Sequence, residues 1–400
     1  MENLALWLLI ALSIAIGWAL GRWGGRTSIS SREVGIGAQL PAGVRLTFEQ
    51  YSDEAIDKYV QGLEVSKETL PMHFSIANHF RKKGEVDRAI LIHQNLLAHP
   101  LLDSDNRERA TLELARDYLS AGLLDRSEAL FKQLEKSRQW GERSLQSLLD
   151  IYQDEKEWRA AKETGLKLDY RRNPEFRKRI AHYCCEEAVI AQGREETGEV
   201  KRLLREALHY DRNCVRASLM LAQLHQDAGD FPEAIKFLLR VEEQDAGFVA
   251  ETVPALVKCY RKLGDERKLQ QYLGALLQRR GTPALVIAYA ESLELTAGKR
   301  AALEFLIEKL TDHPSIKGLD YLLALQLDLA EANRLGRDGA ALDSTPSQLE
   351  VVRGVTQTLL QDKPRYLCEN CGFSGSVLLW FCPSCKQWET IKPWAGVAGD

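Results

Sequence analysis

The sequence predicts an all-α chain: a superhelical stack of helical hairpins, preceded by one membrane-spanning helix and closed by a small metal-bound ribbon. Three observations carry this expectation. A helix–turn–helix pattern recurs about every 34 residues through the middle of the chain, 17 uncharged residues run from Leu4 to Leu20, and four cysteines fall in two C-x-x-C pairs near the end.

The apolar run LALWLLIALSIAIGWAL is long enough, at about 1.5 Å per residue, to span about 26 Å, close to the hydrocarbon thickness of a bilayer. Trp7, Trp18 and Trp23 sit toward its ends, where indole rings favour the membrane interface. Arg22, Arg26 and Arg32 follow it, and Glu2 is the sole charged side chain before it. The positive-inside rule then leaves the bulk of the chain in the cytoplasm. A cleaved signal peptide would need a basic start and a small-residue cleavage site, and neither is present. Residues 1–23 are therefore expected to be an anchor. Residues 24–44, rich in Gly and Ser and without helical period, are expected to be a flexible tether.

The repeats occupy residues 45–335. Three segments show the pattern: ANHFRKKGEVDRAILIHQNLL from Ala77, ARDYLSAGLLDRSEALFKQLE from Ala115, and AQLHQDAGDFPEAIKFLLRVE from Ala222. Each opens on a small residue and has an aromatic or His three positions later (Phe80, Tyr118, His225). A turn glycine follows (Gly84, Gly122, Gly229), then an apolar stripe. The small or apolar position of the second helix recurs at Ala55, Ala89, Ser127, Ala161, Val200, Ala234, Leu269 and Ala302. The spacing resembles the tetratricopeptide repeat, in which stacked hairpins bury their apolar faces against neighbours and present a curved surface to partners. Wider spacings imply inserted residues near Pro100–Asp105 and Asn173–Pro174. Later repeats are expected to lose the turn glycine or the small residues. The pattern continues as DYLLALQLDLAEANRL from Asp320, a capping helix. Residues 336–363 then read as a loop and a connecting helix, SQLEVVRGVTQTLLQ from Ser347.

Residues 364–400 carry Cys368, Cys371, Cys382 and Cys385, the two pairs being separated by ten residues. A C-x-x-C turn puts two thiolates on one side of a tight loop, and two such turns make a tetrahedral S4 cage for one ion, zinc or iron. Gly372 lets the first knuckle turn, Pro383 stiffens the second, and Arg365, Lys386 and Lys392 are placed to offset the cage's negative charge. Metal binding supplies folding energy that so short a segment cannot draw from a core. Tyr366, Phe373, Trp380, Phe381, Trp388 and Trp394 exceed what the segment can bury alone. The tail is thus expected to dock on the final repeats through Val377, Leu378, Leu379, Trp380 and Phe381. Two other readings of the tail are a stacking platform for single-stranded nucleic acid and an Fe(Cys)4 electron carrier.

Composition narrows the function. Hydrophobic content of 45%, charged content of 28% and a net charge of −4 describe an ordinary globular chain without a nucleic-acid footprint. Cys184, Cys185, Cys214 and Cys259 fall in helical patterns, where cysteine serves as a small hydrophobe. His93 and His225 fall on packing positions. No zincin, nucleophile-elbow, Walker or dinucleotide motif occurs, so no enzyme is expected.

Anchor, repeats and knuckles together resemble the lipopolysaccharide assembly protein B family, over residues 1 to about 394. The most specific matches are GEVDRAI from Gly84, RDYLSAGLLDRSE from Arg116, and KPRYLCENCGF…FCPSCKQWETIKP from Lys363. The tail is similar to a rubredoxin-type domain. It departs from true rubredoxin in having Lys386 where glycine usually follows the second knuckle and in the closeness of the knuckles, both of which count against electron transfer. The resemblance implies a single-pass inner-membrane adaptor facing the cytoplasm. Such an adaptor promotes proteolysis of the lipid A deacetylase LpxC by the membrane protease FtsH and gathers other lipopolysaccharide assembly proteins. A homodimer is compatible with it.

Overall fold

The computed structural model describes residues 64–100, 102–335, 345–361 and 363–394. The expected anchor, the tether, Ala55 and most of the loop after residue 335 lie outside them. Among the described residues no helix is long and apolar enough to cross a membrane. The chain divides into two compact units at Pro100/Leu101.

Among the described residues of the first unit lies one hairpin, α1 (Leu70–Lys83) and α2 (Val86–Ala98). Ile76, Ala77 and Phe80 of α1 close on Ala89 and Ile92 of α2. The Arg88 guanidinium lies 3.9 Å above the Phe80 ring, a cation–π contact across the turn.

The second unit holds an all-helical tetratricopeptide-repeat solenoid and the C-terminal ribbon. Its hairpins are α3 (Ser104–Ser120) with α4 (Leu124–Leu134), α5 (Gly141–Asp154) with α6 (Trp158–Lys167), and α7 (Pro174–Gly193) with α8 (Thr197–Tyr210). There follow α9 (Val215–Asp227) with α10 (Phe231–Gln244), α11 (Val249–Leu263) with α12 (Glu266–Arg279), and α13 (Pro283–Ala297) with α14 (Lys299–Asp312). Helix α15 (Ile316–Leu335) packs on α16 (Thr345–Gln361), where Thr356 Oγ1 donates to Asp320 Oδ1 at 3.2 Å.

The tight turns are closed by a shared pair of backbone bonds. In α3–α4, Gly122 N–H donates to Leu119 O and Leu123 N–H to Tyr118 O. The same pair recurs at Gly84/Glu85, Gly229/Asp230 and Gly264/Asp265. The turn residue has positive φ, +74° at Gly122, which glycine adopts without penalty. In α5–α6 and α7–α8 the position is held by Lys156 and Glu195, both at φ +60°. The turn glycine is lost in two central hairpins, while Gly264 and Gly298 keep positive φ further along; what gives way later is the small residue, at Leu269.

Among the described residues the small-or-apolar register holds. Ala89, Ser127, Ala161, Val200, Ala234, Leu269 and Ala302 are all at most 2% exposed. Ser127 shows what close approach permits, its buried hydroxyl donating to Ala115 O at 2.8 Å in the partner helix. Cys184, Cys185, Cys214 and Cys259 are buried, as are His93 and His225. The insertion at Asn173–Pro174 goes into the loop after Leu168 and into a 20-residue α7, capped by Asn173 Oδ1 accepting from Glu175 N–H.

The tail folds as a three-stranded antiparallel sheet, in the order β2 (Ser374–Gly375), β1 (Tyr366–Cys368), β3 (Ile391–Pro393). Tyr366 pairs with Gly375 on one side and Pro393 on the other. Tyr366, Cys368, Cys382 and Ile391 make its small core.

Candidate metal centre

The two knuckles are built alike. In the first, Cys368 N–H donates to Phe373 O and Gly372 N–H to Cys368 O; in the second, Cys382 N–H donates to Gln387 O and Lys386 N–H to Cys382 O. Gly372 has φ +77° and Lys386, in the equivalent place, φ +56°. Lys386 therefore takes up the left-handed geometry that glycine supplies in the first knuckle, so its presence does not alter the turn.

This backbone brings four sulfurs together, all within 4.8 Å of one another. Sγ of Cys368 lies 3.7 Å from that of Cys385, and Sγ of Cys371 lies 3.6 Å from that of Cys382. A tetrahedron with metal–sulfur bonds of about 2.3 Å has edges of about 3.8 Å, which these two sulfur pairs match. Their protonation is uneven. Burial raises the Cys368 thiol, but the Thr390 hydroxyl and backbone amides of the knuckle outweigh it and bring it down to about 6. At Cys382 burial dominates and pushes the thiol up to about 12. The ribbon is a site for one metal ion, zinc or iron, set by the four-sulfur donor set.

The sheet does not stand alone. Trp388, 2% exposed, enters the core formed by α3–α7, edge-on to Trp158 and Tyr183 and stacked on His182 at 4.6 Å. Its indole Nε1–H donates to Gln153 Oε1 at 2.9 Å, and the same oxygen accepts from Tyr183 Oη and Arg179. Trp380 stacks on Phe248 at 5.4 Å and joins Leu378 against Val215 and Val241. Polar ties ring these contacts: Lys386 to Asp154 at 2.8 Å, Lys392 to Asp245 at 3.0 Å, and Tyr366 Oη donating to Glu251 at 2.9 Å. Burying Trp388 is worth about 2–3 kcal/mol, whereas a pair as exposed as Lys386–Asp154 adds about 0–1, so the indole sets the affinity and the ion pairs set the register.

Docking is thus real, but its place differs from the expectation. The ribbon sits on residues from α5 to α11, mostly on first helices of successive hairpins, and not on the final repeats. Val377 and Leu379 face solvent, and Trp388, beyond the second knuckle, takes the role assigned to them. Lys386 and Lys392 bind solenoid carboxylates, and Lys392 also pairs with Glu369 of the ribbon at 3.0 Å. Of the aromatics of the proposed stacking platform, Trp380, Phe381 and Trp388 pack into this interface and Tyr366 bonds Glu251, while Phe373 packs within the ribbon's own core. Sequence reasoning missed Gln153, whose only signal is a buried position at the end of α5.

A tetratricopeptide-repeat solenoid carrying a docked four-cysteine ribbon defines the class. The ribbon, residues 366–393, matches the model described as "Rubredoxin metal binding domain", and residues 73–107 and 191–251 match tetratricopeptide-repeat models. Lipopolysaccharide assembly protein B of Escherichia coli K12 is 32% identical over 394 residues, covering 98% of this chain and 99% of that one. The Haemophilus influenzae protein of the same name is 32% identical over 396 residues, covering 97% of each. The chain belongs to the lipopolysaccharide assembly protein B family. Among solved structures it is similar to a tetratricopeptide repeat protein from Parabacteroides merdae, 14% identical with a TM-score of 0.31, over 64% of this chain and 98% of that one. A Pseudomonas aeruginosa PilF structure is 12% identical with a TM-score of 0.28, over 56% of this chain and 96% of that one.

Proposed function

We propose that this chain is a non-enzymatic scaffold of lipopolysaccharide assembly, held at the inner membrane by residues 1–23 with its bulk in the cytoplasm. Residues 24–44 serve as the tether, 45–335 as the solenoid, 336–363 as the connection and 364–400 as the ribbon. Cys368, Cys371, Cys382 and Cys385 ligate the single ion, whose role is structural: a closed four-sulfur set leaves no position for substrate. Family membership supports the pathway. The adaptor role follows the same resemblance: the chain presents LpxC to FtsH and gathers other assembly proteins. Anchoring raises the effective concentration of a scaffold toward a membrane-embedded protease.

The observation that carries this reading is the docked ribbon. Trp388 inserted among first helices joins the metal domain to the repeats as one partner surface. The test is the half-life of the lipid A deacetylase in cells depleted of the chain and complemented with variants at native level. Cys371→Ser, Trp388→Ala and deletion of residues 1–23 should each leave the deacetylase long-lived, while the wild type restores turnover. Full complementation by Cys371→Ser with a metal-free tail would overturn the structural role of the metal. Full complementation by the truncation would overturn the need for the anchor.

A further inference from the structure

A second cluster of ligand-type side chains lies where the ribbon meets the solenoid. His182 comes from α7, Cys214 from the position before α9, and Glu389 from the turn before β3. Their donor atoms all lie within 4.8 Å of one another. His182 and Cys214 are at most 1% exposed, and the Glu389 side chain is 9% exposed.

The polar atoms are not otherwise explained. Neither ring nitrogen of His182 has a hydrogen-bond partner, nor has Glu389 Oε1. An unpartnered buried polar atom costs about 1–3 kcal/mol, so such groups persist where something else satisfies them. His182 Nε2 and Glu389 Oε1 stand 3.4 Å apart. That is long for a charge-assisted hydrogen bond, which runs about 2.7–2.9 Å. It matches the edge of a tetrahedron whose nitrogen and oxygen bonds are about 2.05 Å, which is about 3.3 Å.

The surroundings hold the three in place. Trp388 stacks on the imidazole at 4.6 Å with rings inclined by 15°, and Trp380 lies 6.2 Å from it. Glu389 is held at φ +57°, a conformation costly for a side-chain-bearing residue, by its N–H donating to Trp380 O. Lys178 stands 3.9 Å from the other carboxylate oxygen. Cys185 Sγ lies 3.9 Å from Cys214 Sγ.

We propose that His182, Cys214 and Glu389 form a second metal site that clamps the ribbon to the solenoid and takes one zinc-like dication. The mixed nitrogen, sulfur and oxygen set suits Zn(II) better than hard Mg(II) or Ca(II), which prefer all-oxygen shells. Two ligands come from the solenoid and one from the ribbon, so the ion would bridge them. This site does not depend on what the scaffold recruits.

The test is metal stoichiometry of the reduced, purified full-length chain, loaded with Zn(II) and freed of loosely held metal. Wild type should retain two equivalents. Glu389→Gln and Cys214→Ser should each retain one, with the helical circular dichroism unchanged. Cys371→Ser should lose the ion of the other centre and, by loosening the ribbon that carries Glu389, the interface ion as well. A wild type that retains one equivalent overturns the proposal whatever the variants do. Two equivalents in the wild type and in both interface variants overturn it equally.

Discussion

At the residue scale, the four ribbon thiols differ although their backbone turns are alike. Cys382, raised to about 12, carries its proton at neutral pH, whereas Cys368, lowered to about 6, is largely thiolate. Metal must displace whatever protons remain, so affinity rises with pH. Between pH 7 and 9 the apparent affinity should climb by at least about tenfold per unit, the proton from Cys382 setting that minimum. Below pH 6 Cys368 takes up a proton as well and the slope steepens by one. Competition with a chelator of known affinity across pH 5–9 measures this, and a flat profile would show that no thiol proton is displaced.

Gln153 is the second residue that decides an outcome. Its Oε1 accepts from Trp388, Tyr183 and Arg179. Gln153→Met conserves shape but leaves the indole N–H without that acceptor, and should cost about 1–3 kcal/mol. Chemical unfolding of the single and double variants checks the assignment: in a Trp388→Phe background the same substitution should cost clearly less.

At the element scale, much of the fold could be read in advance because burial permits few residues at one position of each second helix. Ala161 and Ala234 sit where helices touch, and Val200 and Leu269 fill the place where the partner surface allows more volume. The turn chemistry was less legible. Lys156 and Glu195 adopt the geometry of Gly122 with the same pair of backbone bonds, and nothing in their identity announces it. Glu195 is exposed, so its strain can be relieved without loss of contacts. A left-handed side-chain-bearing residue costs about 1–2 kcal/mol and glycine gives back up to about 1 in chain entropy. Glu195→Gly should therefore stabilise by about 0.5–1 kcal/mol, and Gly122→Ala should destabilise by a similar amount. Unfolding midpoints in urea decide both.

At the scale of the whole molecule, the metal cage was legible and its seat was not. Cysteine spacing is local, within 17 positions, and a knuckle needs only its own turn. The docking pairs are distant: Tyr366 and Glu251 are 115 positions apart, Trp388 and Gln153 235. Aromatic excess in the tail indicated a docking face without indicating which helices it meets. The same distance hid His182 and Glu389 from each other. The consequence is mechanical. The ribbon packs on first helices in the middle of the second unit, so ribbon and repeats are joined into one surface.

Hydrogen exchange on the full chain, with metal and after its removal by chelator, tests this joined surface most directly. If the metal holds the ribbon in its seat, removal should speed exchange in residues 366–393 and also in the segments of α5, α7 and α11 that carry Gln153, His182 and Glu251. Exchange in α13 and α14 should stay unchanged. Faster exchange confined to the ribbon, with α5, α7 and α11 as protected as before, would contradict the account.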